Sequence, residues 1–374
     1  MTLSHEILTY IESHAPEALQ LLIDLAQIPA PSNHEQQRAA FCLEWLHSKG
    51  AESAYIDEAL NVVYPIGDTG NNDLMVFMAH SDVVFPDTTP LPLKIENGRI
   101  YCPGVGDDTA NAVALLTVAG YIAENHLAPK NCGILLVINS GEEGLGNLKG
   151  CRTIMEDFGP RVKEFITFDG NASAIVTKAV GSRRYRVTVT TQGGHSYARF
   201  GAPNAIAQLS NLISRLYEIK VPSIGKTTYN VGTISGGTSV NTIAQSAEML
   251  YEFRSDEREG LAIMQDHFDR ILADFRASGV QIETELVGDR PCGLDVGNKA
   301  LAERAADAVR EYYGLSPAFT SGSTDCNVPL SMGISAICPG CIMGAGAHTR
   351  EECVQLDSLL PGLKVAFDLI VHHF

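Results

Sequence analysis

Basic residues are scarce in this chain, with 27 Lys and Arg against 44 Asp and Glu and a formal net charge of −17. So anionic a surface repels phosphate backbones and anionic lipid, which disfavours nucleic-acid and membrane-surface binding. No Lys or Arg precedes Arg38, so neither a secretory n-region nor an Arg-rich transit peptide is expected. Long apolar runs are missing too. The longest, around Ala112–Ala123, is broken by Thr117 and Gly120 and is too short to span a bilayer. The nine cysteines are scattered and odd in number, which reads as reduced thiols in a cytoplasmic protein rather than a disulfide framework. The pair in Cys338-Pro339-Gly340-Cys341 has no second pair to complete a zinc or redox motif. Gly104-Val105-Gly106 lacks the third glycine and the acid of a dinucleotide fingerprint. Internal repeats and low-complexity linkers are absent.

What is present is an α/β texture over 374 residues, enough at roughly 150 per domain for two domains. Apolar positions at three-to-four spacing predict helices through the first fifty residues, with a break at Pro29 and Pro31 and a stop at Gly50. Leu74–Ala79, Ile134–Asn139 and Glu164–Phe168 are short apolar runs of the kind buried parallel strands show, and Thr109–Asn125 reads as a crossover helix. From Gly181 the texture changes. Arg184–Thr191 alternates strictly, and the segments up to Val287 follow the order β-α-β-β-α-β. The fold class is therefore α/β: a mostly parallel sheet with helices on both faces, plus an inserted ferredoxin-like β-α-β-β-α-β unit. The expected boundaries are 1–180 and 293–374 for the sheet domain and 181–292 for the insert.

Each buried run ends in chemistry. Leu74–Ala79 leads into His80-Ser81-Asp82, Ile134–Asn139 into Ser140-Gly141-Glu142-Glu143-Gly144, and Glu164–Phe168 into Asp169-Gly170. In an open parallel sheet the carboxyl ends of the strands line one crevice, where the turn Gly104–Asp108 adds two more acids. Each fragment alone is an ordinary loop, N-cap or turn signature. Together they gather one histidine and several acids that cannot all stay ionised without cations, and mixed His/carboxylate ligation suits zinc, manganese or cobalt.

With these motifs in view, the sequence resembles the dinuclear-zinc exopeptidases that include peptidase T, glutamate carboxypeptidase, carnosine dipeptidase and succinyl-diaminopimelate desuccinylase (peptidase family M20). The resemblance rests on His80-Ser81-Asp82-Val83-Val84, Gly106-Asp107-Asp108-Thr109-Ala110, Gly141-Glu142-Glu143-Gly144, Phe168-Asp169-Gly170 and Gly346-Ala347-His348-Thr349. Gly194-His195-Ser196, Gly236–Asn241, Phe253-Arg254-Ser255 and Gly322-Ser323-Thr324-Asp325 match as well. It implies that His80, Asp107 and Asp169 hold one metal and that Asp107, Glu143 and His348 hold the other, with Asp107 bridging. It further implies that Asp82 accepts the remaining ring N–H of His80 and that Glu142 is the general base. In the insert, His195 and Asn241 would stabilise the oxyanion, with His195 reaching the partner subunit's site, and Arg254 would bind a substrate carboxylate. Many relatives carry Lys where this chain has Thr109, a position that is not a ligand.

The expected activity is hydrolysis of amide bonds in short peptides by an exopeptidase with two divalent metals per chain, zinc first and cobalt or manganese as alternatives. The expected assembly is a homodimer through the insert, without nucleic-acid or membrane partners. An N-acyl amino acid deacylase is the alternative within the same family, since both reactions break an amide beside a free carboxylate. A non-catalytic binding protein on this fold is the alternative from another class, and it predicts a lost ligand or base.

Overall fold

The structure, a computed structural model, describes residues 3–70 and 72–374. Two compact units form: one runs to Ala179 and resumes over Leu294–Phe374, the other is Val180–Gly293. The larger unit is built on eight strands. In spatial order they are Tyr55–Ile56, Val62–Ile66, Gly133–Asn139, Leu74–His80, Val162–Thr167, Ser335–Pro339, Ala174–Ala179 and Ala318–Gly322. The third to sixth are mutually parallel, and their carboxyl ends point the same way. Antiparallel pairings at Val62–Ile66 and at Ala174–Ala179 make the sheet mixed.

The central strands are apolar on both faces because both are covered. Phe77 and Ala79 with Ile134, Leu136 and Ile138 face one core, completed by helices His5–Gln27, Ala110–Glu124, Lys299–Tyr313 and Leu359–Val371. Val76 and Met78 with Leu135 and Val137 face the other, against Lys149–Phe158 and Asn327–Ser331. This alternation of sides within an unbroken apolar run is what distinguishes a sandwiched strand from a surface one. Ala110–Glu124 is buried from Ala110 to Ala123, and Gly120 is the point where the single tryptophan, Trp45, packs against it. A Cβ there would sit 2.9 Å from the indole. Cys338 and Cys341 belong to opposite cores, which separates the two thiols of the Cys-Pro-Gly-Cys motif. Among the described residues no helix is long and apolar enough to cross a membrane.

The smaller unit holds an antiparallel sheet in the order Thr227–Gly236, Ser246–Ser255, Gly181–Thr190, Gln281–Arg290. Helices Ala205–Leu216 and Arg258–Ala277 cover one face of it, burying Val187, Val189, Met249, Tyr251 and Phe253. A two-stranded ribbon pairs Gly194–His195 with Thr242–Ile243.

Candidate metal centre

The parallel topology brings the motifs of the larger unit together. His80 is the last residue of its strand, Glu142 and Glu143 follow Gly133–Asn139, and Asp169 follows Val162–Thr167. Asp107 and Asp108 lie in the irregular turn Val105–Thr109, where both leave helical backbone angles and are joined by a cis peptide. His348 sits at φ +65°, a left-handed conformation uncommon for a non-glycine residue and frequent at functional sites.

The Asp107 carboxylate stands between two imidazoles. Its Oδ1 lies 3.1 Å from His80 Nε2 and its Oδ2 lies 3.0 Å from His348 Nε2. His348 Nε2 is also 3.0 Å from Glu143 Oε1. Donor atoms of His80, Asp107 and Glu143 lie within 4.8 Å of one another, and so do those of His80, Asp108 and Asp169. In that second group Asp108 Oδ2 accepts the backbone N–H of His80 at 3.0 Å and Oδ1 accepts the Asn111 amide at 2.6 Å.

Electrostatics mark the same cluster. Burial opposes ionisation of Asp107, yet hydrogen bonds from His348 and His80 hold its carboxyl well below the usual range. Contacts with Asp107 and then Glu143 lift His348 to about 10. For Asp169, burial and the nearby Asp107 charge push the carboxyl up to about 7. Opposed shifts in neighbouring buried acids are common where functional sites gather carboxylates. The two donor groups share His80 and offer imidazole nitrogen beside carboxylate oxygen, a donor set that fits divalent ions of the zinc, manganese or cobalt type.

Asp82 meets His80 through both its carbonyl and its carboxylate. The nearer acceptor for His80 Nδ1 is the Asp82 carbonyl at 3.0 Å, with the carboxylate at 3.5 Å. That carboxylate also accepts the backbone N–H groups of Glu142 and Glu143, each at 2.9 Å, and the Ser32 hydroxyl at 2.6 Å. It therefore shapes the glutamate turn as well as facing the histidine. Glu142 is buried beside Glu143, at 5% exposure.

Three further buried residues escaped the sequence reading. Glu35 accepts the N–H of Gly141 at 3.0 Å. Arg38, fully buried, donates to the carbonyls of Ile28 and Ser81 and to Thr109 Oγ1. Burial pulls its pKa down to about 10. Glu352 accepts N–H groups from Gly104, Gly106 and Asp107. None has a motif of its own, and Glu351-Glu352 reads locally as a solvated acid pair. A cavity of about 130 Å³ opens beside Asp107, lined by Gly170, Gly344, Ala345 and Ala347.

His195, Asn241 and Arg254 lie in the smaller unit. His195 Nδ1 accepts the N–H groups of Tyr197 and Ala198 at 3.3 and 3.4 Å, which puts the proton of the neutral ring on Nε2. Asn241 Oδ1 accepts the Ser239 hydroxyl at 2.8 Å. Glu252 accepts two hydrogen bonds from the Arg254 guanidinium, at 3.0 and 3.1 Å.

Comparison with known proteins places the chain in a family. YqjE of Bacillus subtilis, an uncharacterised protein, is 23% identical across 94% of this chain and 97% of its own length. Acetylornithine deacetylase of Myxococcus xanthus is 25% identical across 81% of each. A Staphylococcus aureus tripeptidase superposes with a TM-score of 0.76 at 21% identity, covering 96% of this chain and 98% of its own. YxeP of Bacillus subtilis, a dinuclear metal-binding peptidase, superposes with a TM-score of 0.63 at 15% identity over 96% and 99%. Residues 76–372 match the profile of peptidase family M20/M25/M40, and the chain belongs to that family of amide hydrolases.

Proposed function

We propose that this hydrolase is a dinuclear-zinc exopeptidase acting on short peptides. The observation that carries the reading is the Asp107 carboxylate, whose two oxygens face two different imidazoles. His80, Asp107 and Asp169 would hold one ion, and Asp107, Glu143 and His348 the other. When bound, such a pair polarises the scissile carbonyl and lowers the pKa of water towards neutrality.

The chain's own groups supply the rest. Asp82 holds the Glu142 backbone N–H, so the general base is fixed on a braced turn. Glu142 takes the proton from the attacking water and delivers it to the leaving amine nitrogen. His195, protonated on Nε2 by its local contacts, and the Asn241 amide act as donors towards the oxyanion. The Arg254 fork, oriented by Glu252, pairs with a substrate carboxylate.

A homodimer through the smaller unit accords with Thr227–Gly236 forming an outer strand of its sheet, with Ile234 at 55% exposure. Nine buried, unbridged cysteines accord with a reducing, cytoplasmic setting. N-acyl amino acid deacylation is the second reading, supported by the acetylornithine deacetylase relative. The deciding experiment sets di- and tripeptides beside N-acetyl and N-succinyl amino acids, with zinc, cobalt or manganese. Higher kcat/KM on peptides supports the exopeptidase, and higher values on acyl amino acids support the deacylase.

A further inference from the structure

The turn that carries Asp107 has backbone hydrogen bonds at its ends, Val105 N–H to Cys102 O at 3.1 Å and Thr109 N–H to Gly104 O at 3.4 Å. Gly104 begins it at φ +76°, and a Cβ there would lie 2.2 Å from Val83 Cγ1, so only glycine fits. The N–H groups that follow point inward at one side chain. Glu352 Oε1 accepts Gly106 at 2.7 Å and Asp107 at 2.8 Å, and Oε2 accepts Gly104 at 2.9 Å. Its residue is 1% exposed, so these bonds form away from water, where leaving an N–H without an acceptor is costly.

The opposite side of the turn is tied as well. Thr109 Oγ1 donates to the Gly104 carbonyl at 2.6 Å and accepts from buried Arg38 Nη1 at 3.0 Å. Glu352 itself is anchored twice. Its carbonyl accepts the Cys102 N–H at 3.2 Å, and the next residue, Cys353, pairs with Tyr101 in the small antiparallel ladder. It also closes the short segment that starts at Gly346 and carries His348, through Glu352 N to Thr349 O at 3.3 Å. The Glu352 side chain therefore joins two segments 245 residues apart, the turn that carries Asp107 and the segment that carries His348; Asp107 Oδ2 and His348 Nε2 lie 3.0 Å from each other.

We propose that Glu352 is a positioning residue for the metal pair, a buried template that folds the Gly104–Asp107 turn around its carboxylate and sets the Asp107–His348 spacing. This rests on Asp107 bridging two metals, the reading given above. The role needs two acceptor oxygens. Glutamine at 352 would keep one and turn an NH2 towards backbone N–H groups, so the turn must shift. Aspartate keeps both oxygens but falls a methylene short.

The test is titration of the chelator-stripped full chain with Co²⁺, following its visible absorption bands, for wild type, Glu352→Gln, Glu352→Asp and Gly106→Ala. Gly106→Ala leaves Glu352 in place but sets a Cβ 3.3 Å from its Oε1. Circular dichroism confirms folding independently. Groups that orient metal ligands typically change affinity ~10–100-fold. The expected result is that wild type takes two Co²⁺ and Glu352→Gln loses affinity for at least one by that factor, with altered bands. Glu352→Asp should recover part of the loss, and Gly106→Ala should shift in the same direction as Glu352→Gln. Wild-type affinities and bands in Glu352→Gln overturn the positioning role. If Glu352→Gln fails to fold, the same wild-type behaviour in both Gly106→Ala and Glu352→Asp overturns it. Failure of the wild type to bind two Co²⁺ overturns the underlying reading of the site instead.

Discussion

Asp82 accepts the backbone N–H of Glu142 at 2.9 Å, across 60 residues of sequence. That bond ties the strand end bearing His80 to the turn bearing the proposed base, so ligand and base are joined through one buried residue. Removing it should be felt twice. In Asp82→Ala the N–H groups of Glu142 and Glu143 lose their acceptor in a buried place, at about 1–3 kcal/mol each. We expect roughly 3 kcal/mol of lost stability in the chelator-treated protein, together with reduced turnover. Denaturant unfolding measures the first and initial rates the second; wild-type stability would show that the turn stands unaided.

Glu142 is assigned chemistry and not ligation. Glu142→Ala should keep both metals and lose about 10²–10⁴ in turnover, the range for general acid–base groups. Metal analysis beside initial rates checks this, and near wild-type hydrolysis would contradict the role.

The proposed ligands should each matter to stoichiometry. His348→Ala and Asp169→Ala are expected to lower metal content from about two ions per chain towards one. Elemental analysis that still finds two in both variants would count against the assigned sets.

Metal binding should weaken in acid. The folded apoprotein holds His348 up at about 10 and His80 well above its ordinary value; burial opposes protonation of His80, and Asp107 and Asp82 outweigh it. Raised histidines stabilise the apoprotein fully below the unfolded value near ~6.5, and that stability fades as pH rises towards the folded values. Bound metal requires these rings neutral, so binding expels protons and strengthens with pH. The rise in Tm on adding zinc should therefore grow between pH 6 and pH 8. A rise independent of pH would contradict protonation of the ligand histidines.

His195 is placed in the smaller unit, and its oxyanion role predicts a loss of about 10²–10³ in turnover for His195→Ala without metal loss. Mixing His195→Ala with Glu142→Ala chains should restore activity if each His195 serves a partner's metals. No recovery in the mixture would place its action within one chain.

The fold class was legible because buried parallel strands leave short apolar runs, as at Leu74–His80, with the chemistry beginning where the run stops. His80 and Asp169 came into view through such edges. Ala174–Ala179 and Ala318–Gly322 did not, since Thr177, Lys178 and Ser321 break their apolar pattern although both strands pair in the sheet. The supporting layer was hidden for another reason. Arg38, Glu35 and Glu352 look like surface charges until tertiary structure buries them against backbone groups. A charge whose partners are carbonyls and N–H groups leaves no side-chain pattern to read. Thr109 illustrates the converse: a mismatch with many relatives in sequence is a hydroxyl between Arg38 and Gly104 in structure.

The central claim is that one carboxylate, Asp107, serves two metal ions in an amide hydrolase. The most direct measurement reconstitutes the stripped chain with zinc while following bound metal and tripeptide hydrolysis together, in wild type and Asp107→Ala. We expect two zinc ions per wild-type chain with hydrolysis appearing as they bind, and weakened binding of both ions with no hydrolysis in the variant. Two tightly bound ions or sustained hydrolysis in Asp107→Ala would contradict the account.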